Sequence, residues 1–400
     1  MRISSIPVAV VLAVAGVWFT WGGTAFAQIE ELPRPATADS ASFGVSVALG
    51  DSLAAVGASA ESVCGANSGA VYVFRRTGGP QFASWRLEAR LIPRRCRSNA
   101  FFGDNIALSG GRLLVSASSE HFEGEGSNAV IVFERRGSGQ WTQTDRLTPV
   151  RGQSEGLFAA DLDLDGDRAV VSTSGSPETG ANGAVYVYDY DGRRAEWTRA
   201  ARLTVRRNQE GGILGGSVAL DGNHIAVSAS TYFEREPGAV HVFERHAENG
   251  SWHADTVLTG IDGFFIDVDL TDETLLVGES RAGDAGSGRA LIYTTHDDGS
   301  WGRNAILYPS APYESGSFGD GVSIEGDWAL VSGYDEQLGM EFNIDRVVYV
   351  FRRERGEWRE YTILDVGEVD FGAAFDQCGS TILASSVPAN EAGTVYVIQL

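Results

Sequence analysis

Seven copies of one pattern of hydrophobic and polar residues run along the chain. In the first copy, Phe43–Leu49 alternates apolar and small residues, residues 50–52 are polar, and residues 53–59 are again apolar. The copies begin at Phe43, Phe102, Phe158, Leu214, Phe264, Phe318 and Phe371. Successive starts lie 50 to 59 residues apart, by subtraction. A near-regular period of this size is typical of one supersecondary unit repeated in an array or a ring.

Each copy predicts four β-strands, which we name A to D in chain order. In the first copy, strand A covers Phe43–Leu49, strand B residues 53–59, strand C residues 69–74 and strand D residues 85–91. Strand C is apolar on both faces, as in a sheet that is covered on both sides. No stretch shows a sustained 3.6-residue period, so we expect almost no helix. Four antiparallel strands packed on both faces are typical of a β-propeller blade.

The turn between strands A and B has a single length throughout the chain. The leading residue precedes a strand B landmark by 13 residues in every copy, from Phe43 and Val56 to Phe371 and Ala384. The middle of the turn is Asp51, Gly110, Gly166, Gly222, Asp272, Gly326 or Gly379. Because Gly and Asp tolerate positive φ, the pattern predicts a tight hairpin in each blade.

The ends of the chain predict how the ring closes. The last copy ends at Leu400 just after strand C, so it lacks a strand D. Leu32 precedes Phe43 by 11 residues, as Leu91 precedes Phe102. We therefore expect residues 29–33 to pair with the strand around residues 395–398. The fold prediction is an all-β, seven-bladed propeller over residues 28–400, with the N-terminal strand closing the last blade.

The repeated motifs resemble FG-GAP repeats. Four of the units, the first included, start with a Phe-Gly pair such as Phe43-Gly44, and in the first unit Val56-Gly57-Ala58 precedes the variable B–C loop. Gly69-Ala70-Val71-Tyr72-Val73-Phe74 follows that loop. Such repeats build the seven-bladed propeller of integrin α subunits and of many exported bacterial proteins. The resemblance implies a binding or adhesion role in which the side bearing the B–C and D–A loops contributes to ligand binding.

Calcium-binding members of that family have a longer Asp-rich loop between strands A and B. Asp161, Asp163 and Asp165 form a similar Asp-x-Asp-x-Asp-Gly run with Gly166. However, Asp161 and Asp163 occupy strand A positions, and the 13-residue interval is unchanged. A calcium ion needs several oxygens converging from a loop, which this short turn does not provide. We therefore expect no cofactor, and these three residues remain the metal candidates.

The first 27 residues have the pattern of a secretory signal peptide. Arg2 is followed by an apolar run and by Ala25-Phe26-Ala27, a small-x-small cleavage site. The alternative is a membrane anchor, but the run is shorter than the ~20 residues that a spanning helix requires. We expect cleavage after Ala27 and a secreted, periplasmic or cell-surface protein without a transmembrane segment.

The charge composition disfavours one class of partner. The formal net charge is −22, and every basic side chain other than histidine is arginine. A strongly acidic chain is poorly suited to general nucleic-acid binding, which depends on neutralising phosphates. We interpret the acidic groups as a solvated surface and expect a monomer.

The three cysteines predict one disulfide. Cys64 lies in the B–C loop of the first unit, and Cys96 lies in the loop from its strand D to the next strand A. In an antiparallel blade these two loops emerge on the same side, whereas Cys378 lies in an A–B turn on the opposite side. An oxidising compartment favours a Cys64–Cys96 bond with Cys378 free. Three reduced thiols are the alternative.

The sequence contains no catalytic constellation that we would assign. It has no His-x-x-x-His or Cys/His metal pattern and no Gly-x-Ser-x-Gly elbow with a triad in order. Function is therefore expected in the variable B–C and D–A loops. The predicted ligand-binding residues there are Arg94, Arg95, Arg206, Arg207, Tyr232, Phe233 and Tyr313.

Two functions are compatible with this pattern. The favoured one is a non-catalytic binding or adhesion propeller that recognises a protein or glycan ligand. The alternative is a secreted hydrolase or lyase with paired carboxylates near the propeller axis. Its candidate residues are strand A carboxylates such as Asp104, Asp161, Asp267 and Asp320.

Overall fold

The fold is built almost entirely from β-strands. The computed structural model describes residues 28–38, 42–78, 84–118, 128–137, 139–149, 157–175, 181–205, 212–230, 237–262, 266–271, 273–283, 286–310, 316–335, 345–388 and 392–400. These residues form 28 strands and one 3-10 helix, Ala36–Ala38. In this part of the chain, no helix is long and apolar enough to cross a membrane.

The 28 strands form seven four-stranded antiparallel sheets, or blades. Strand β1 (Gln28–Glu31) belongs to the last blade. Blade 1 contains β2 (Phe43–Leu49), β3 (Leu53–Ala58), β4 (Ala70–Thr77) and β5 (Ser84–Leu91). Blade 2 contains β6 (Ile106–Ser109), β7 (Arg112–Ala117), β8 (Ala129–Arg136) and β9 (Gln140–Leu147). Blade 3 contains β10 (Leu157–Asp165), β11 (Arg168–Ser174), β12 (Ala184–Asp191) and β13 (Glu196–Leu203).

The remaining four blades repeat this order. Blade 4 contains β14 (Ile213–Asp221), β15 (His224–Ser230), β16 (Gly238–Arg245) and β17 (Trp252–Ile261). Blade 5 contains β18 (Ile266–Thr271), β19 (Thr274–Glu279), β20 (Arg289–Thr295) and β21 (Trp301–Leu307). Blade 6 contains β22 (Val322–Glu325), β23 (Trp328–Asp335), β24 (Asp345–Glu354) and β25 (Glu357–Leu364). Blade 7 contains β26 (Phe371–Cys378), β27 (Thr381–Ser386) and β28 (Thr394–Gln399).

The N-terminal strand closes the ring as the sequence predicts. β1 pairs antiparallel with β28, in a register that places Ile29 opposite Ile398. The Leu32 N–H then donates to the Val395 carbonyl at 2.8 Å. Leu32 is fully buried in the apolar cluster between blades 7 and 1. The last blade thus contains strand D from one end of the chain and strands A to C from the other.

The apolar core is divided among the seven contacts between neighbouring blades. One cluster of buried side chains lies between each blade and the next around the ring, including blades 7 and 1. Strand C supplies apolar side chains to the clusters on both of its faces, as Tyr72 and Val73 of β4 show. This is why strand C is continuously apolar in sequence.

The repeated glycines allow close approach between blades. Gly69, just before strand C of blade 1, lies against the backbone of Phe102, which leads blade 2. A Cβ atom at Gly69 would overlap the Phe102 carbonyl. Gly183 and Leu214, and Gly288 and Phe318, repeat this arrangement. The end of each unit motif is therefore packed on the start of the next one.

The A–B turns follow the predicted chemistry with one exception. The turn glycines have φ between +53° and +60°: Gly110, Gly166, Gly222, Gly326 and Gly379. The expectation of positive φ is wrong for Asp51, which does not have positive φ; a 2.8 Å hydrogen bond from the Gly50 N–H to the Leu53 carbonyl closes that turn. Asp272 lies outside the described residues.

Candidate functional site

A pocket rimmed by arginines opens where the loop leaving blade 1 crosses blade 2. We call it the arginine pocket; its volume is about 370 Å³. It lies at the ends of β7, β8 and β9, on the side of the propeller that bears the B–C and D–A loops. Its lining consists of Pro93, Arg94, Arg95, Arg97, Ala100, Ala117, Ser118, Ala129, Ile131, Gln143 and Arg146.

The loop that carries three of these arginines is held at several points. Cys96 forms a disulfide with Cys64 of the neighbouring B–C loop, with Cα atoms 6.1 Å apart. The Asn99 N–H donates to the Ala66 carbonyl at 2.7 Å. On the other side, the Arg94 N–H donates to Gln143 Oε1 of β9 at 2.8 Å. The loop is therefore fixed to both blades, which lowers the entropic cost of ordering it around a ligand.

The electrostatics of the pocket differ from those of the rest of the protein. Arg94 and Arg95 are exposed, and in the described part of the chain their side chains form no ion pair. Burial, and then the neighbouring Arg95 charge, lower the pKa of Arg146. Like charges are thus gathered on a protein whose formal net charge is −22. Such a grouping favours an anion, since guanidinium groups bind carboxylate or phosphate through paired hydrogen bonds.

The arginine pocket contains only two of the seven predicted ligand-binding residues. Arg94 and Arg95 are brought together there, alongside Arg97 and Arg146. The other five candidates lie outside the described residues: Arg206, Arg207, Tyr232, Phe233 and Tyr313. Arg146 was missed because it lies on a regular strand rather than in a loop. Its position next to Leu147, the last strand D residue before the D–A loop, was the available signal.

A second cavity runs along the propeller axis. It has a volume of about 200 Å³ and is lined by the innermost strand, strand A, of all seven blades. Its described lining includes no basic side chain but has five carboxylates: Asp161, Asp163, Asp267, Asp269 and Asp376. They occupy the third and fifth positions after the leading residue in blades 3 and 5, and the fifth position in blade 7.

The axial carboxylates connect neighbouring blades. Asp161 and Asp163 each use Oδ2 to accept a backbone N–H of β14, from Val218 at 2.8 Å and Leu220 at 2.7 Å. Their Oδ1 atoms accept the N–H of the next residue in β10. The corresponding carboxylates of blades 5 and 7 bond to blades 6 and 1 in the same way. The side chains thereby satisfy N–H groups at the inner edges of blades 4, 6 and 1.

Burial disfavours the charged forms of these carboxylates. It raises the pKa of Asp161 and of Asp376 to about 7, and that of Asp163 to about 6. Burial also raises the pKa of Asp267 and of Asp269. The backbone N–H donors act in the opposite direction but do not outweigh the loss of solvation.

Two of the carboxylates predicted at the axis do not line the axial cavity. Asp104 and Asp320 follow their leading residues by two positions instead of three. Asp320 forms an ion pair with Arg346 at 2.7 Å and lines an adjoining cavity with Asp267, whose pKa its charge helps to raise. Asp269 and Asp376 were missed, although counting five residues from Phe264 and Phe371 locates them.

The free cysteine has no redox partner in the described residues. Cys378 is half-buried, and its Sγ lies 3.5 Å from Asp51 Oδ1 across the contact between blades 7 and 1. Burial, together with nearby carboxylates, raises the pKa of the Cys378 thiol to about 12. The thiolate is therefore scarce at neutral pH, and this cysteine is poorly suited to nucleophilic chemistry.

A profile of the FG-GAP repeat matches the chain at residues 30–74 and 141–188. Each matched segment begins on a strand D and ends on the next strand C, and the same landmarks recur around the ring. The chain is a seven-bladed β-propeller that contains FG-GAP repeats. Because an FG-GAP repeat runs from strand D to strand C, it spans two blades, which accounts for the N-terminal strand in the last blade.

Solved structures similar to this FG-GAP propeller share its fold. A candidate 6-phosphogluconolactonase from Bacteroides uniformis has a TM-score of 0.53 and 12% identity, with 79% of this chain and 84% of that chain covered. A candidate 6-phosphogluconolactonase from Bacteroides fragilis has a TM-score of 0.52 and 11% identity, covering 88% and 90%. At these identities the similarity concerns the fold alone. No curated protein sequence matches the chain significantly.

The Asp-rich run of this FG-GAP propeller does not form a separate loop. Asp161, Asp163 and Asp165 all use Oδ2 to accept N–H groups of blade 4, the last from Gly222 at 3.0 Å. All three belong to strand β10. The residues predicted as metal candidates therefore already have backbone donors as partners.

One mixed group of metal-ligating side chains lies on the outer strands of blade 4. Glu244, His253 and Asp255 place one ligand atom each within 4.8 Å of one another, the only group of three found in the part of the chain that the structure describes. His246 stacks on His253 with ring centroids 4.0 Å apart. The sequence spacing of these residues fits no standard metal motif, so this group could not be predicted from the sequence.

Proposed function

We propose that this FG-GAP propeller is an exported, non-catalytic binding module that recognises a protein or glycan ligand through its B–C and D–A loops. The observation that carries the proposal is the arginine pocket, an apolar cavity rimmed by arginines on an otherwise acidic protein. Its loop is fixed by a disulfide and by hydrogen bonds to both adjacent blades. A rigid scaffold that presents exposed charged loops is the usual arrangement of a binding site.

Export is part of this proposal. The leader pattern of residues 1–27 supports it. The Cys64–Cys96 pair supports it as well, because structural disulfides persist mainly in oxidising compartments. Mass spectrometry of protein recovered from the culture medium or periplasm should give an N-terminus at Gln28. An intact leader on the mature protein would contradict export by this route.

Binding through the loops is tested by array screening with matched variants. Purified protein is applied to glycan and extracellular-protein arrays beside two double variants. Arg94→Glu/Arg95→Glu reverses the charge of the arginine pocket. Arg193→Glu/Arg194→Glu makes the same change at an exposed C–D turn on the opposite side. The proposal predicts that wild type and the C–D variant capture the same ligand and that the pocket variant does not. Equal capture by all three proteins would refute it.

A hydrolase or lyase acting at the axis is the second candidate, favoured by carboxylates whose pKa values burial raises towards 7. Against it, both oxygens of Asp161 already accept backbone N–H groups, so the carboxylate mainly joins two blades. A screen against glycans, esters and phosphoesters separates the candidates. Turnover that is lost in Asp161→Asn, in a protein that still folds, would support the enzyme and contradict the binding module.

A further inference from the structure

The interior of the arginine pocket is suited to an aliphatic group. Its walls include Ala117, Ala129 and Ile131, and its described lining has no aromatic side chain. Of the uncharged polar groups, Gln143 already accepts the Arg94 N–H. A group rich in hydroxyls would find few partners there, and burying unpaired hydroxyls is unfavourable. The volume of about 370 Å³ lies within the usual range of ligand pockets, ~300–1,000 Å³.

The rim of the pocket is suited to carboxylates. Arg94 and Arg95 are exposed there and form no ion pair in the described part of the chain, and Arg97 and Arg146 also line the pocket. Guanidinium groups pair with carboxylates through two parallel hydrogen bonds. An occupant that matches both regions has an apolar centre with acidic groups on either side.

We propose that the arginine pocket binds an acidic peptide segment that inserts an aliphatic side chain between flanking carboxylates. This inference rests on the proposed binding function and adds the class of ligand. A sulfated or uronic-acid glycan would satisfy the arginines but would leave the apolar walls without a matching group. The peptide uses both halves of the pocket.

Fluorescence anisotropy with short labelled peptides tests the ligand class. The probe is an acetylated Glu-Glu-Leu-Glu-Glu peptide, compared with one in which Gly replaces Leu and one in which Gln replaces each Glu. We expect saturable binding of the first peptide and at least tenfold weaker binding of the other two. Binding should also weaken as salt is raised from about 50 to 300 mM, because the rim contacts are ionic.

Two protein variants and a control separate the contributions of the rim arginines and the apolar walls. Arg94→Glu/Arg95→Glu should lower the affinity for the Glu-Glu-Leu-Glu-Glu probe, the Leu peptide, at least tenfold. The control Arg193→Glu/Arg194→Glu should keep that affinity within twofold of wild type. Ala117→Leu fills part of the cavity without changing charge, so it should reduce the affinity for the Leu peptide to that for the Gly peptide. Thermal melts of each variant confirm that it is folded.

The possible results distinguish this inference from the function on which it rests. Suppose that a sulfated oligosaccharide of equal charge binds more tightly than the Leu peptide, and that replacing Leu by Gly does not change the affinity of the peptide. The proposed ligand class is then wrong, although the arginine pocket is still a binding site. If Arg94→Glu/Arg95→Glu changes the affinity of no probe and no array ligand, the proposed function fails as well.

Discussion

At the scale of single residues, two glycines of blade 4 have positive φ for different reasons. Gly215 follows the leading Leu214 and has φ +99°, and a Cβ atom there would overlap the Thr173 carbonyl. Gly222 lies in the A–B turn with φ +53°, and a Cβ atom there would meet nothing within 4 Å. The first position requires glycine for space and for backbone conformation, the second for backbone conformation alone.

The same substitution should therefore have unequal costs at the two glycines. Gly222→Ala should lower the free energy of unfolding by about 1 kcal/mol, the cost of a left-handed residue. Gly215→Ala should cost about 2 kcal/mol more, because blades 3 and 4 must move apart. Urea denaturation of both variants measures the difference. Equal losses would show that the contact between the blades yields easily.

At the scale of elements, the innermost strands carry the most unusual chemistry of the fold. Strand A has no neighbour on its axial side, so its N–H groups there need other acceptors. Aspartates at the third and fifth positions accept these bonds from the next blade, as Asp376 does from the Leu49 N–H at 2.7 Å. The arrangement stabilises contacts between blades but places several carboxylates around one small cavity.

This arrangement predicts an inverted dependence of stability on pH, in which the free energy of unfolding falls, instead of rising, as pH increases. Unfolded aspartates titrate near pH 4, whereas Asp161 and Asp376 have a folded pKa of about 7. Between these values the folded state holds protons that the unfolded state has lost, so the free energy of unfolding falls as pH rises. Each such group contributes up to about 1.4 kcal/mol per pH unit. Urea melts from pH 4.5 to 8 measure the slope.

A variant pair assigns that slope to the axis. Asp376→Asn removes one titrating group. The free energy of unfolding should therefore fall less steeply with pH, by the contribution of about one proton. Asp297→Asn, at an exposed turn, should keep the wild-type slope. A wild-type protein that becomes more stable as pH rises from 5 to 7 would contradict the inverted dependence.

The Cys64–Cys96 disulfide should stabilise both the fold and the loop of the arginine pocket. Its sequence separation of 32 residues corresponds to about 3–4 kcal/mol in the chain-entropy treatment. Cys64→Ser/Cys96→Ser should melt at a lower temperature and bind array ligands more weakly. Cys378→Ser is the control, since that thiol is free and should change either property little. A wild-type melt unaffected by reducing agent would argue against the bond.

At the scale of the whole molecule, the N-terminal strand holds the ring together. Deleting residues 28–34 removes β1, the buried Leu32 and the Arg34 bond to the Ala392 carbonyl. It exposes the edge of β28, and an unpaired apolar edge promotes association. The truncated protein should melt lower and form aggregates in size-exclusion chromatography. Deleting Leu400 alone is the control and should have little effect. An unchanged melt of a monomeric truncation would contradict the closure.

Repetition made the fold predictable, and its absence limited prediction of the site. Seven copies at a constant register located the seven blades and the closing residue Leu32, because blade packing imposes the same requirements each time. The arginine pocket depends on loops that differ between blades, so Arg146 could not be assigned to it from spacing. At the axis, Asp104 and Asp320 follow their leading residues by two positions instead of three or five, and strands β6 and β22 begin only after them, so the strand alternation does not turn them into the cavity.

Hydrogen–deuterium exchange decides whether ligand binds, as proposed, on the side that bears the B–C and D–A loops. The protein is compared with and without the tightest ligand from the arrays. Exchange should slow in residues 92–101 and at the C-terminal end of β9, and it should stay unchanged in the A–B turns and the axial strands. Protection confined to the axial strands, or to the side bearing the A–B turns, would show that ligand binds elsewhere.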